Sequence, residues 1–361
     1  MRFGRSVTGE FQRNAAAALA VTLVGARRLC RMLRLAGSSL ADTLHGVSSL
    51  AARFRPLVAM MPALALGACG GAGSPDAQPS SQPSVTCAPG SYPSGTSCHV
   101  FATITTVRAP TPFTEAGRPV ELEIVLYAPP SSDRLPTVVF NHGSTGDGSD
   151  PSLFGDVFTS ETVARFFAEK GWQVAFVQRR GRGGSDGLYD EGFTADRSGY
   201  SCEEPVALAG VERALADLDA AVDYLRSRAD VDTTRMLVAG TSRGGILSIV
   251  HIARRPDVYR GAINFVGGWL GEGCGDYASV NRSLFEQGAA FPGPSLWLYA
   301  ANDSFYSLTH SGANFDAFTA AGGFATMKTY TRAAGKNGHF LLNDPDLWSA
   351  DLADYVVQVA P

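Results

Sequence analysis

The chain reads as an α/β protein: a mostly parallel sheet with helices on both faces. Three observations carry that expectation. Beyond residue 100, short apolar runs rich in Val, Ile and Phe alternate with helical patterns. A long amphipathic repeat, Leu208, Val211, Leu215, Leu218, Val222 and Leu225, advances in steps of three and four. At 234–255 an apolar strand pattern runs through a tight turn into an apolar helix pattern. Strands that alternate with helices are joined by crossovers, which makes them parallel and covers both faces of the sheet. The length of 361 residues, 45% hydrophobic and 18% charged, suits one large α/β domain with tails.

The elements follow in order. HVFATITTVR (99–108) and VELEIVLYAP (120–129) alternate with period two and read as two early strands. LPTVVFNHG (135–143) is a buried strand closing in a turn. A helix is expected over 159–171, with Ser160 as its cap and Gly171 at its end. WQVAFVQRR (172–180) is a strand, and the amphipathic repeat sets a helix over about 205–228. TRMLVAGTS (234–242) is a strand and RGGILSIVHIARR (243–255) a helix. Strands follow at 260–269 and 293–303, a short helix at 315–323, a strand at 324–331 and a closing helix at 344–359.

The N-terminal part obeys different physics. Of the chain's 30 basic and 34 acidic residues, residues 1–55 hold nine arginines and two acids, Glu10 and Asp42; the remainder is acidic, with no basic field for nucleic acid. Arg53 and Arg55 precede an apolar run from Leu57 to Leu66, too short for the roughly 20 residues a bilayer requires. The run leads through Leu66-Gly67-Ala68 to Cys69 and resembles a bacterial lipoprotein signal. The resemblance implies cleavage before Cys69, lipidation of its sulfur and attachment to a membrane of the bacterial cell envelope. Four segments are therefore expected: an upstream extension (1–52), either left untranslated by a start nearer Val47 or Leu50, or a long n-region, or an organelle transit peptide; a signal peptide (53–68); a Gly/Ser/Pro-rich tether (69–86); and the folded domain (87–361). Export makes disulfides expected among Cys87, Cys98, Cys202 and Cys274. Four cysteines allow three pairings. Cys87 with Cys98, across a turn-rich loop, and Cys202 with Cys274, pinning the loop 181–204 over the site entrance, is the preferred one. No His/Cys spacing calls for a metal, and no cofactor is implied.

Ligands of open α/β sheets bind beyond the carboxyl ends of the strands, so the chemistry is sought in the loops there. Gly-x-Ser-x-Gly occurs twice, around Ser242 (VAGTSRGGI) and around Ser185 (GRGGSDGLY). Only Ser242 lies between an apolar strand and an apolar helix, the setting of a nucleophile elbow; Ser185 reads as part of a loop. A serine at its ordinary pKa needs a base, and the base needs an orienting carboxylate. The chain order serine, acid, histidine points to Asp303 in AANDSFY and to His339 in KNGHFLLND. The oxyanion donors are expected at the amides of Arg243 and Ser144, with Gly143 adjacent. His142, Trp269, Phe305, Tyr306 and Phe340 are candidate pocket residues, and Arg179, Arg180 and Arg182 either bind an anionic substrate or pin their loop by ion pairs.

Residues 135–358 resemble the α/β-hydrolase superfamily, near its dienelactone-hydrolase-like and prolyl-oligopeptidase-like branches. NHGS (141–144), RRGRGGSDG (179–187), GTSRGG (240–245), LYAANDSFY (298–306) and GKNGHF (335–340) carry the resemblance. It implies an α/β-hydrolase fold and a Ser242–Asp303–His339 triad. Serine, where dienelactone hydrolases proper usually carry cysteine, points to a general carboxylesterase or a peptidase, and a carboxylesterase acting on a small-molecule ester is the leading expectation. A serine peptidase and a non-catalytic surface lipoprotein using the fold for ligand binding are the alternatives.

Overall fold

The computed structural model describes residues 86–361, Thr96 excepted. The expectations for the 1–52 extension, the 53–68 leader, lipidation at Cys69 and the tether up to residue 85 lie outside the described residues.

Ten strands and six α-helices are present among them. A small hairpin, β1 (Ser91–Ser94) and β2 (Ser97–Val100), precedes the main sheet. The sheet contains β3 (Thr103–Glu115), β4 (Arg118–Ala128), β5 (Leu135–Asn141), β6 (Gln173–Val177), β7 (Val231–Thr241), β8 (Gly261–Phe265), β9 (Pro294–Ala300) and β10 (Phe324–Tyr330). Their spatial order is β10-β9-β8-β7-β5-β6-β4-β3. Every pair from β10 to β6 is parallel, whereas β4 is antiparallel to both β6 and β3.

Burial explains the order. β5, β6 and β8 are buried at every residue, as continuous apolar strands at the centre of a sheet covered on both faces must be. The β3–β4 hairpin lies at one edge, and β3 alternates between exposed and partly buried positions. The helices are α1 (Glu161–Ala168), α2 (Glu204–Ser227), α3 (Arg243–Arg254), α4 (Tyr277–Gly288), α5 (Leu308–Ala320) and α6 (Pro345–Val359). α2 buries Val211, Leu215, Leu218, Val222 and Leu225, the stripe its sequence repeat lays out. Ser160 caps α1 by accepting from the Val163 amide at 3.3 Å.

The structure departs from the sequence expectations in three places. The strand expected over 99–108 is broken: the amides of Phe101 and Ala102 both donate to the Gly90 carbonyl, which separates β2 from β3. α4 lies where no helix was expected. α5 begins at Leu308 rather than 315, because Ser307 accepts from the His310 amide and starts the helix early.

Both preferred disulfides are present. Cys87–Cys98 bridges the first hairpin, and Cys202–Cys274 joins the loop before α2 to the loop before α4 across a sequence separation of 72. Closing a loop of that length in the unfolded chain stabilises the fold by up to about 4 kcal/mol in the chain-entropy model. Replacing both Cys202 and Cys274 by serine should therefore lower the unfolding free energy by up to about 4 kcal/mol, read as a lower urea midpoint.

Candidate active site

β7 delivers its last residues to the carboxyl edge of the sheet and then reverses into α3 at Ser242. Ser242 has φ 56° and ψ −126°, a positive φ that a non-glycine residue holds only when its surroundings enforce it. The flanking glycines show what enforces it. A Cβ at Gly240 would stand 2.2 Å from the Gly244 carbonyl oxygen, and one at Gly244 would stand 2.1 Å from the Asn141 oxygen. Helix, strand and turn are in backbone contact, and no side chain fits between them. The Ser242 amide donates to the Phe265 carbonyl of β8 at 3.0 Å, which ties the turn to the neighbouring strand.

The other Gly-x-Ser-x-Gly serine has a structural role. Ser185 donates from Oγ to the Gln178 carbonyl at 2.6 Å and accepts from the Glu123 amide at 2.8 Å, which fastens its loop to β4.

Asp303 and His339 arrive from the loops after β9 and β10. Asp303 Oδ1 accepts from the amides of Phe305 and Tyr306 at 2.8 and 3.0 Å, so the carboxylate is held before it meets the imidazole. His339 Nδ1 lies 3.1 and 3.0 Å from the two Asp303 oxygens. Donation from Nδ1 leaves Nε2 as the unprotonated, acceptor nitrogen of a neutral ring. Gly338 allows this approach, since a Cβ there would lie 2.4 Å from the Ala301 oxygen at the end of β9. Asn337 Oδ1 accepts from the amides of His339 and Ser304 at 3.0 and 3.2 Å, clamping the two loops together. No hydrogen bond joins His339 to Ser242 among the described residues. The Tyr306 phenol lines the same cleft as the serine, and burial, followed by the opposing charges of Arg243 and Asp303, pushes its pKa above the usual phenol value.

Three amides surround Ser242 without a backbone acceptor among the described residues: those of Gly143, Ser144 and Arg243. Arg243 is the first residue of α3, whose opening N–H groups have no partner inside the helix. Gly143 lies against the serine, for a Cβ there would stand 3.0 Å from Ser242 Cβ and 3.5 Å from its Oγ.

Two clefts open on Ser242. One, of about 360 Å³, is walled by Ser144, Tyr200, Arg243, Trp269, Tyr306 and the Cys202–Cys274 bridge. The other, of about 330 Å³, is walled by Gly143, Phe158, Arg182, His339, Phe340 and Leu342. Ser144, Ser242 and Phe305 belong to both.

The candidate pocket residues separate accordingly. Phe305 and Phe340 line clefts, and Tyr306 and Trp269 line the first as buried wall. His142, expected to face substrate, lines neither. It is 1% exposed beneath the site, where Nε2 accepts from the Arg179 amide at 3.2 Å and Nδ1 lies 2.7 Å from the Gly143 carbonyl. Its task is to hold the Gly143 turn.

Sequence reasoning placed only the Arg243 amide here and missed its side chain. The guanidinium is buried between the rings of Tyr200 and Trp269, 3.7 and 4.4 Å from their centroids. It donates to the carbonyls of Trp269 and Glu191 at 3.1 and 3.0 Å. Glu191 also pairs with the buried Arg179. No spacing in the sequence announces Tyr200 or Glu191, which come from a loop without periodicity. Among the described residues no group of His, Cys, Asp and Glu side chains is placed to hold a metal ion.

Comparisons with known proteins bear on this arrangement. Residues 157–273 match the family model described as serine aminopeptidase, S33; the match includes Ser242 and ends before Asp303 and His339. No curated protein matches the sequence significantly. Among solved structures, an esterase of Pyrococcus furiosus is 14% identical, with a TM-score of 0.49, over 71% of this chain and 90% of its own. An acetyl xylan esterase from a Paenibacillus species is also 14% identical, with a TM-score of 0.49, over 71% of this chain and 84% of its own. The acylaminoacyl peptidase of Pyrococcus horikoshii is 16% identical, with a TM-score of 0.45, over 66% of this chain and 37% of its own.

Three buried histidines make stability depend on pH. Burial, followed by the charges of Arg179 and Arg182, holds His142 well below the usual imidazole range. Burial lowers His251 in spite of Asp219, and burial lowers His310. These groups are neutral in the fold and protonate near 6.5 in the unfolded chain. The stability they contribute is complete above that pH and is lost as the pH falls, by up to about 1.4 kcal/mol per histidine per pH unit. Asp217, raised to about 6 by burial, offsets part of this because it takes up its proton in the fold first. Urea midpoints should accordingly fall between pH 7.5 and 5.5, and His251→Gln should make that slope shallower.

Proposed function

We propose that this chain, which has the α/β-hydrolase fold, is a serine hydrolase that cleaves carboxylic esters through an acyl-enzyme on Ser242. The observation that carries the reading is a strained serine at the junction of two clefts, facing unpartnered amides and accompanied by a carboxylate-oriented histidine.

The steps follow from the groups present. His339 Nε2 accepts the Ser242 proton as Oγ attacks the ester carbonyl carbon. Asp303 holds the ring in the tautomer that leaves Nε2 free and stabilises the imidazolium that forms. The amides of Arg243 and Ser144, with Gly143 adjacent, receive the negative charge on the carbonyl oxygen. Collapse expels the alcohol, which takes the proton from His339. Water then attacks the acyl-enzyme with the same proton relay and releases the acid.

Clefts of about 360 and 330 Å³ suit the two halves of a small ester. A peptidase reading has one observation in its favour, the match of residues 157–273 to the serine aminopeptidase model. A chain that only binds a ligand through this fold would have no use for the Asp303–His339 pair. The leader-like segment ending at Cys69 supports an exported protein, lipid-anchored in the periplasm or at the cell surface, and the two disulfides suit such an oxidising compartment.

Ser242→Ala should lower kcat on a short-chain ester by about 10⁶ and abolish fluorophosphonate labelling. Wild-type hydrolysis by that variant would overturn the assignment, and faster cleavage of aminoacyl amides than of esters would favour the peptidase. Mass analysis of the mature N-terminal peptide should find a diacylglyceryl-modified Cys69; an unmodified cysteine would remove the membrane anchor from the proposal.

A further inference from the structure

The loop after β6 carries three arginines, and the structure treats them differently. Arg179 is paired with Glu191, and Arg180 with Asp217 and Glu115. Arg182 is 5% exposed, yet it forms no ion pair among the described residues. Its Nη2 makes one long contact, 3.4 Å to the Asp156 carbonyl, while Nε and Nη1 are buried with no hydrogen-bond partner. The Tyr189 ring lies 5.3 Å from its Cζ and offsets part of the burial, but a guanidinium with most of its donors unused stays costly to bury unless a counter-charge joins it.

Its position shows where that counter-charge would come from. Arg182 lines the cleft that also holds His339 and Ser242, together with Phe158, Phe340 and Leu342. The two clefts are chemically distinct. The histidine that removes the serine proton returns it to the departing oxygen, so the leaving alcohol must lie within hydrogen-bond reach of His339. The cleft walled by His339 therefore receives the alcohol, and the cleft walled by Arg243 and Trp269 receives the acyl group.

We propose that Arg182 is a specificity-determining residue for an anionic group, carboxylate or phosphate, on the leaving-group half of the substrate. The proposal rests on the serine-hydrolase reading. An aromatic or aliphatic alcohol would pack against Phe158, Phe340 and Leu342 and place its anion on the guanidinium. Phe340 is 52% exposed at this cleft, which leaves its ring open to a substrate's apolar part.

The test compares three acetyl esters on the full-length protein: 4-acetoxybenzoate, 4-acetoxyphenyl phosphate and, as the neutral reference, methyl 4-acetoxybenzoate. Each kcat/KM is normalised to the imidazole-catalysed rate of the same ester. A charge-assisted hydrogen bond predicts that at least one anionic ester exceeds the neutral one by about 10-fold or more. Which of them does so distinguishes carboxylate from phosphate. In Arg182→Gln the preference should collapse to within about 2-fold of unity. If the glutamine variant does not fold, Arg182→Lys carries the test, because it keeps the charge without the fork and should show an intermediate preference. An absent preference in the wild-type enzyme, or one that survives Arg182→Gln, overturns the proposal. Neutral-ester hydrolysis and fluorophosphonate labelling of the wild type report separately on Ser242. If both are present without an anion preference, only the Arg182 assignment fails; if both are absent, the serine-hydrolase reading fails and the Arg182 proposal with it.

Discussion

The backbone contact among β5, β7 and α3 is the constraint on which the site depends. Gly244 stands so close to Asn141 that a Cβ would lie 2.1 Å from its carbonyl oxygen. That approach holds Ser242 at its positive φ and brings the Gly143 turn against the serine. The strain is small against the burial around it, since β5 and β8 on either side are buried at every residue. The next loop depends on the same turn: the Gly268 amide donates to the Ser242 carbonyl at 3.3 Å. Asn281 continues the chain of support, accepting from the amides of Trp269 and Leu270 at 2.8 and 3.0 Å. The Trp269–Leu270 wall of the first cleft is thus fixed by hydrogen bonds that begin at the Ser242 carbonyl.

A second support is electrostatic. Glu191, 3% exposed, lies between Arg179 and Arg243 and neutralises positive charge that would otherwise be buried without compensation. Arg243 has two roles. Its amide faces the serine, and its guanidinium fills the space between Tyr200 and Trp269. Tyr200 in turn accepts from the Thr145 amide at 3.1 Å and shares a 2.6 Å hydrogen bond with Tyr189. The loop that looked irregular in sequence is therefore held by buried charge and phenol hydrogen bonds, and the Cys202–Cys274 bridge closes its far end.

The elements that were legible in sequence are those whose burial is periodic. α2 shows its stripe, the central strands are continuous apolar runs, and the turn from strand to helix at Ser242 can be read from composition on either side. α4 was not expected although Val280, Leu284, Phe285 and Gly288 recur on one helical face, because polar residues such as Asn281 and Arg282 interrupt the apolar pattern. Asn281 is polar for a tertiary reason: both ends of its amide bond the 269–270 backbone, and Nδ2 also reaches His310 at 3.0 Å. α5 began earlier than expected for a related reason. Ser307, His310, Ser311 and Asn314 look like loop residues, yet Ser307 caps the helix, His310 bonds Asn281 of α4, and Asn314 bonds His310.

The sequence by itself determined the alternation of strand and helix, the chain order of Ser242, Asp303 and His339, and the difference between the two Gly-x-Ser-x-Gly serines. These follow from local periodicity and from what lies on each side of a turn. Tertiary structure alone decided what the other polar residues do. His142 became a buried prop and Ser185 a strand fastener; Arg179 and Arg180 found carboxylates, and Arg182 did not. Whether a charge is paired depends on which distant loop folds against it, and adjacent arginines in one loop meet different neighbours. A linear pattern does not contain that information, because the partners come from Glu115, Glu191 and Asp217 on separate elements.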